Sequence, residues 1–203
     1  MNQTEIKTLV TSFENKKDRT IVIVDYGNVN KWENNLGWEV GIRELARLIK
    51  NFSYGKQPLR RFYYGSDYGN YEKSENLDFW SEKVLSTARN NRFEVITKRV
   101  KYIHSQNNVH GFEKKCDLDV EMVVDLIKER DNYDNIILFS GDGDLMCGIK
   151  YLKNEYQKLC YVFGARGHIG REVYDAKNDG YIVDILYAED FEYRLSTTPR
   201  RFS

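Results

Sequence analysis

A chain of 203 residues is long enough to bury the core of one domain without help from disulfides. It has 31 Lys and Arg against 31 Asp and Glu, and this zero formal net charge excludes nucleic-acid binding through bulk charge alone. The three cysteines form no CxxC pair and no apolar run reaches the ~18 residues of a membrane span, so we expect neither a zinc framework nor a membrane protein, but a cytoplasmic one.

The first half of the chain alternates between helical and strand patterns. Residues 4–14 predict an amphipathic helix with Ile6, Leu9, Val10 and Phe13 on one side. The β-branched run 21–25 ends in Asp25 and is typical of a strand buried on both faces of a parallel sheet. The elements predicted after it are a helix (39–51), a strand (59–65), a helix (77–91) and a third strand (93–100).

The second half continues the alternation after a polar stretch, 101–116, that we expect to be a loop or a hairpin. The predicted elements are a helix (118–130), a strand (135–140), a helix (about 144–156), a strand (159–164), a short helix after Gly167 and a last strand (181–185). Strands that alternate with helices predict βαβ units. With right-handed crossovers, the expected fold is a three-layer α/β/α sandwich around a mostly parallel sheet.

Carboxylates follow two of the predicted strands. Asp25 ends the first strand, and Asp142 and Asp144 follow the fourth in the run Ser140-Gly141-Asp142-Gly143-Asp144. Ligands of open α/β sheets bind at the carboxyl ends of the strands. Carboxylates crowded there repel one another unless a cation lies among them, and hard oxygen ligands select Mg²⁺ or Mn²⁺. Taken singly, Asp25 is equally explained as a helix cap and the DGD run as a tight turn.

A third acidic element, with Asp117 and Asp119, precedes the helix predicted at 118–130. An aspartate at a helix start is favoured by the helix dipole whatever its function. Asp125 follows Asp119 by six residues, which places it about 120° further round the helix. We therefore expect Asp125 to be peripheral or linked to a basic side chain. At this point either Asp117 or Asp119 remains a candidate for the third ligand.

Four segments together resemble the NYN family of PIN-like ribonucleases, close to its LabA-like branch. The segments are IVIVDYGNVN (21–30), KKCDLDVEMVVDLI (114–127), IILFSGDGDLMCGIKYLK (136–153) and LCYVFG (159–164). The resemblance covers about 20–190, and SGDGD is its most specific part. It implies a PIN-like, Rossmannoid fold and cleavage of RNA with Mg²⁺ or Mn²⁺.

The resemblance also implies which residues form the site. The metal-binding and catalytic set is Asp25, Asp119, Asp142 and Asp144. The second aspartate of the family's helix matches Asp125, and its spacing selects Asp119 over Asp117. The chain departs from the family where Lys-Gly-Val usually precedes the middle aspartate, since it has Lys115-Cys116-Asp117-Leu118 there, and where Leu145-Met146-Cys147 replaces Phe-x-Pro.

RNA, more readily single-stranded, is the expected substrate. Asn28 is expected to orient the phosphate or a water on the metal, and Ser140 to donate to a carboxylate. The cations expected to contact the substrate flank the carboxyl ends of the strands: Lys98, Arg99, Lys115 and Arg166. Two alternatives stay open, a non-catalytic RNA-binding or regulatory module with the same fold and a metal-dependent nuclease that acts on DNA.

The expected domain plan is an N-terminal helical extension (1–18), an NYN nuclease domain (19–195) and a flexible tail (196–203). A homodimer is a further expectation, because aromatic residues make up 14% of the chain.

Overall fold

The computed structural model describes residues 4, 5, 8, 19–52, 57–69, 75–104 and 112–198. The apolar side of the helix expected at 4–14 lies outside these residues, as do 105–111 and the end of the predicted tail.

The strands are β1 Thr20–Asp25, β2 Leu59–Ser66, β3 Glu94–Arg99, β4 Lys101–His104, β5 Phe112–Lys115, β6 Asn135–Phe139, β7 Leu159–Gly164 and β8 Asp184–Tyr187. Six of them form one sheet in the order β3-β2-β1-β6-β7-β8, and every pair in it is parallel. The other two, β4 and β5, form a separate antiparallel hairpin.

The α-helices are α1 Tyr26–Val29, α2 Glu33–Leu36, α3 Ile42–Ile49, α4 Phe79–Asn90, α5 Asp119–Lys128, α6 Met146–Tyr156, α7 Arg171–Asn178 and α8 Glu192–Leu195. Single turns of 3-10 helix lie at Asn30–Trp32, Lys50–Phe52, Arg130–Asn132 and Ala188–Phe191. No helix in the described ranges is both long and apolar enough to cross a membrane.

Successive side chains of a strand point to opposite faces of the sheet, and those of the central strands are apolar on both faces. A core therefore lies on each side of the sheet. Val22 and Val24 belong to the core that packs against α3 and α8. Ile21 and Ile23 belong to the opposite core, which packs against α5, α6 and α7. All four of these β1 side chains are fully buried. The expected three-layer α/β/α sandwich with a parallel central sheet is confirmed.

The last strand begins later than its sequence pattern predicts. The backbone N–H groups of Tyr181 and Ile182 both donate to the carbonyl oxygen of Ala176 in α7. These residues therefore cap a helix. The Val183 N–H is the first of this segment to donate to β7, at the Cys160 carbonyl, and the paired register starts at Asp184, opposite Tyr161. The polar stretch 101–116 does contain the expected hairpin, formed by β4 and β5.

Candidate functional site: an acidic cluster at the carboxyl edge of the sheet

The pairing of β1 with β6 brings Asp25 and the SGDGD loop together. Val24 lies opposite Phe139, so Asp25 and Ser140 follow at the same edge. The Ser140 hydroxyl donates to Oδ2 of Asp25 over 2.9 Å, and the Asp142 N–H donates to the Ser140 oxygen over 3.1 Å. Burial raises the pKa of the Asp25 carboxyl above its ordinary value, and the charge of Asp142 acts in the same direction.

The SGDGD loop is held against the loop that precedes α7. The Gly170 N–H donates to the Gly141 carbonyl over 2.8 Å. A Cβ at position 141 would collide with the carbonyl oxygen of His168, so only glycine fits there. Within the loop, the Asp144 N–H donates to Oδ1 of Asp142 over 3.0 Å. The close packing of the backbone around Gly141 therefore fixes the positions of Asp142 and Asp144.

The third acidic element reaches the same edge from α5. The Asp119 N–H donates to Oδ1 of Asp117 over 3.0 Å. Burial, followed by the charges of Asp142 and Asp117, raises the pKa of Asp119 to about 7, and Asp25 adds to this effect. Asp119 is therefore close enough to the strand-end carboxylates for their charges to act on it. We call Asp25, Asp117, Asp119, Asp142 and Asp144 the acidic cluster.

The acidic cluster has the donor chemistry of a divalent-cation site. Among the described residues, no group of three or more His, Cys, Asp or Glu side chains is gathered at metal-ligand spacing. The donors are nevertheless all carboxylate oxygens, which Mg²⁺ and Mn²⁺ prefer. Burial and, after it, the neighbouring negative charges disfavour the ionised form of Asp119, and a cation would offset the effect of those charges. In the chemistry of their donor atoms, the residues fit such an ion.

Asn28 and Ser140 both contact the acidic cluster, and Ser140 donates to a carboxylate as expected. The Asn28 side-chain oxygen accepts from the Trp32 indole over 2.8 Å and from the Gly141 N–H over 3.1 Å. Its side chain thus joins α1 to the SGDGD loop. Ser140 is 0% exposed, so its hydroxyl reaches only neighbouring protein groups.

Most of the expected substrate-binding cations are engaged within the chain. Lys98 donates to Glu121 over 2.7 Å and to the Asp117 carbonyl over 3.1 Å, which ties the end of β3 to the start of α5. The Arg99 guanidinium lies 4.6 Å from the centre of the Tyr68 ring.

The two remaining cations differ from each other. Arg166 lies over the Tyr187 ring at 4.2 Å and 3.9 Å from the Asp190 carboxylate. Lys115 is exposed and lies directly opposite Lys101 in the hairpin. Lys115 is therefore the expected cation that the structure leaves most open to a phosphate.

Asp67 was missed in the sequence, although it fastens the hairpin to the sheet. This buried carboxylate accepts from the Tyr102 hydroxyl over 2.7 Å and lies 2.7 Å from the Lys114 ammonium. A signal for it existed, because Asp67-Tyr68-Gly69 repeats Asp25-Tyr26-Gly27 at the end of the neighbouring strand.

Asp125 stands apart from the acidic cluster, and its partner differs from the basic side chain that we expected. Its Oδ2 accepts a hydrogen bond of 2.7 Å from the hydroxyl of Tyr63, a fully buried residue of β2. The hydrogen bond raises the pKa of Tyr63 in addition to the effect of burial. Asp125 thus anchors α5 to the sheet.

Comparisons with known proteins agree with this architecture. The low amplitude and bright protein LabA of Synechococcus elongatus is 36% identical over 90 residues, which are 44% of this chain and 47% of that protein. The match therefore spans less than half of that relative. The crystal structure of a protein of unknown function from Vibrio parahaemolyticus is similar to this chain at a TM-score of 0.63 and 20% sequence identity. The match covers 87% of this chain and 96% of that one, which shows a shared fold.

A model of the NYN domain matches residues 19–186. Since this match covers most of the chain, the protein belongs to the NYN domain family.

Proposed function

We propose that this protein is a metal-dependent ribonuclease that hydrolyses RNA phosphodiester bonds at the acidic cluster with Mg²⁺ or Mn²⁺. The observation that carries the proposal is the approach of carboxylates from three separate elements, β1, α5 and the SGDGD loop. Burial and the charges of these neighbouring carboxylates together raise the pKa of Asp119 to about 7. Repulsion of this kind is costly to the fold and is offset when a cation binds. We place the activity in the cytoplasm, whose reducing conditions suit three free thiols.

The residues have distinct roles in this proposal. Asp25, Asp119, Asp142 and Asp144 would hold the ion, which supplies a Lewis acid for the scissile phosphate and the attacking water. Ser140 keeps the Asp25 carboxylate in place. The N–H of Asn28 donates to the other oxygen of Asp25 over 3.2 Å, while its side chain holds the SGDGD loop.

The exposed lysines of the β4–β5 hairpin favour a polyanionic substrate. Lys101 and Lys115 are cross-strand partners and both are exposed. Like charges directly opposite each other destabilise a hairpin, and a phosphate group placed between them would offset that cost. Further along the same hairpin, His104 pairs with Phe112, and the centres of their rings lie 4.8 Å apart. These rings offer a surface on which unpaired bases can stack. These contacts favour a single-stranded substrate.

The test is cleavage of matched RNA and DNA oligonucleotides by the purified full-length protein with Mn²⁺ and with EDTA. We expect RNA to be cut with Mn²⁺ only, and Asp142→Asn to abolish cleavage. Asp179→Asn makes the same chemical change at an exposed position after α7 and serves as the matched control. Undiminished cleavage by Asp142→Asn would reject the acidic cluster as the active site.

Two other outcomes would correct the proposal. Equal rates on RNA and DNA would replace the ribonuclease with a general nuclease. Tight RNA binding without any cleavage, with either Mg²⁺ or Mn²⁺, would show that the protein is a binding module of the same fold and not an enzyme.

A further inference from the structure

A second cavity, of about 450 Å³, lies between α3 and α4. Both helices connect parallel strands, so both begin at the carboxyl edge of the sheet, where the acidic cluster lies. Tyr26, the residue directly after Asp25, lines the cavity, and its ring packs against Phe62 of β2. We call this cavity the α3–α4 pocket, and its aromatic and charged lining residues are Tyr26, Glu39, Arg43, Glu44, Trp80 and Lys83. The pocket therefore neighbours the acidic cluster without including any of its carboxylates.

Trp80 forms an open aromatic wall of the α3–α4 pocket. It is 64% exposed, whereas the other two tryptophans, Trp32 and Trp38, are buried. Phe79 meets its ring edge-on at 5.5 Å, and the Lys83 ammonium lies 5.2 Å from the ring centre. These neighbours belong to the same turn of α4 and leave most of the ring surface open. An indole ring presented in this way is suited to stack on a flat aromatic ligand.

The polar groups around Trp80 match the edges of a nucleobase. Arg43 and Lys83 are exposed donors, and Glu39 is an exposed acceptor. Among the described lining residues, two cations balance two carboxylates, so the pocket suits an uncharged ligand better than a phosphate group. A nucleobase is flat, uncharged and bordered by both donors and acceptors. Proteins recognise unpaired bases by stacking them on aromatic rings and by hydrogen bonds to these edges.

Asp67 fastens the start of α4 to the β4–β5 hairpin. The Asp78 N–H donates to the Asp67 carbonyl over 2.8 Å, and the Asp67 N–H donates to the Ser81 hydroxyl oxygen over 3.0 Å. The carboxylate of the same Asp67 lies 2.7 Å from the Lys114 ammonium of the hairpin. Trp80 lies between Asp78 and Ser81 in the chain, so it stands beside the hairpin whose exposed lysines favour a polyanion.

We propose that the α3–α4 pocket binds one unpaired base of a single-stranded RNA, which stacks on Trp80 while the phosphate groups of the strand contact the hairpin. The identity of the ligand rests on the proposed ribonuclease function. The pocket selects single strands, because a base within a duplex is already stacked and paired. It also holds the strand beside the acidic cluster, since Tyr26 of the pocket adjoins Asp25.

The first test is tryptophan fluorescence, which reports on Trp80 because it is the exposed one of the three tryptophans. We expect a short single-stranded RNA to quench the emission of the full-length Asp142→Asn protein in EDTA and to shield Trp80 from acrylamide. The same RNA as a duplex, and heparin as a polyanion without bases, should do neither. Equal quenching by the duplex or by heparin would overturn the stacking of an unpaired base.

The second test compares variants at position 80 by the anisotropy of a labelled single-stranded RNA. Trp80→Ala should raise the dissociation constant about 5- to 150-fold, the range for one base stacked on an aromatic ring, whereas Trp80→Phe should keep most of the affinity. Tyr156→Ala is the matched control, because Tyr156 is 36% exposed and ends α6 at the opposite edge of the sheet. Circular dichroism checks that all three variants fold.

The outcomes separate this proposal from the nuclease activity itself. Cleavage by the wild type, together with unchanged RNA affinity in Trp80→Ala, would overturn the base-binding role of the pocket and leave the nuclease standing. Binding that depends on Trp80, in a protein that cleaves no RNA, would support the pocket and reject the nuclease. A protein that binds no single-stranded RNA would overturn both.

Discussion

The hydroxyl of Ser140 donates to the carboxylate of Asp25 over 2.9 Å and joins the ends of two neighbouring strands. The same hydroxyl oxygen accepts the N–H of Asp142 over 3.1 Å. One fully buried side chain therefore sets the separation of two carboxylates that come from distant parts of the sequence. If the acidic cluster binds a metal as we propose, Ser140 offers a way to change the metal affinity without removing a carboxylate.

Ser140→Ala should weaken metal binding while leaving all the aspartates in place. Loss of a hydrogen bond to a metal-binding carboxylate typically lowers metal affinity or activity about 10- to 100-fold. We expect the Mn²⁺ concentration for half-maximal cleavage to rise by that factor. Ser86→Ala is the control, because Ser86 bonds only to the Lys83 carbonyl of its own helix. An unchanged Mn²⁺ dependence in Ser140→Ala would show that the Asp25 position does not need this bond.

Asp119 should make the free energy of unfolding fall as the pH rises. Its pKa in the folded protein is about 7, against an ordinary value of 3.8, so folding disfavours its ionised form. The stabilisation of the protonated form is fully present below the ordinary pKa and is lost as the pH approaches 7. Urea unfolding between about pH 5 and about pH 8 should show the wild type losing stability relative to Asp119→Asn. A constant difference between the two proteins would contradict the raised pKa.

A divalent cation should reverse this loss. Because the ion binds ionised carboxylates, Mn²⁺ should stabilise the wild type more at about pH 8 than at about pH 5. At about pH 8, Mn²⁺ at 100 times its dissociation constant should add about 2.7 kcal/mol to the free energy of unfolding. Thermal unfolding with and without Mn²⁺ measures the effect. Asp142→Asn should lose most of it, whereas Asp179→Asn should keep it. Equal stabilisation at both pH values would place the ion elsewhere.

Asp125 should affect stability and not cleavage. Tyr63→Phe removes the donor to its half-buried carboxylate and should cost about 1–3 kcal/mol in the free energy of unfolding. Asp125→Asn keeps an acceptor for the Tyr63 hydroxyl, so we expect a smaller loss of stability and normal cleavage per folded molecule. If Asp125→Asn abolished cleavage without destabilising the protein, Asp125 would belong to the active site after all.

Lys101 and Lys115 should contribute to RNA affinity through charge alone. In an Asp142→Asn background with EDTA, replacing both by alanine should weaken binding and reduce the slope of log K against log salt by roughly 1.4, the value for two phosphate contacts on a single strand. Lys50→Ala removes an exposed lysine that follows α3 and is the control. An unaltered salt slope in the double variant would remove the hairpin from the RNA-binding surface.

Much of this architecture follows from local sequence patterns. Runs such as 21–25 and 135–139 alternate apolar side chains toward both faces, so a parallel sheet covered by helices is the arrangement that buries them. The positions of Asp25 and Asp142 at the ends of such runs place them at one edge of that sheet. Both the strand patterns and the positions of these aspartates are local features of the sequence, so both can be predicted from it.

The partners of the polar side chains were decided by the tertiary structure. Asn28 is bonded to Gly141, Lys98 to Glu121 and Asp125 to Tyr63, each across a long stretch of chain. A sequence shows that a group is polar but not which distant group will satisfy it. For this reason Asn28 and Lys98, which were expected at the substrate, bond within the protein, whereas the expected hydrogen bond from Ser140 to a carboxylate is present.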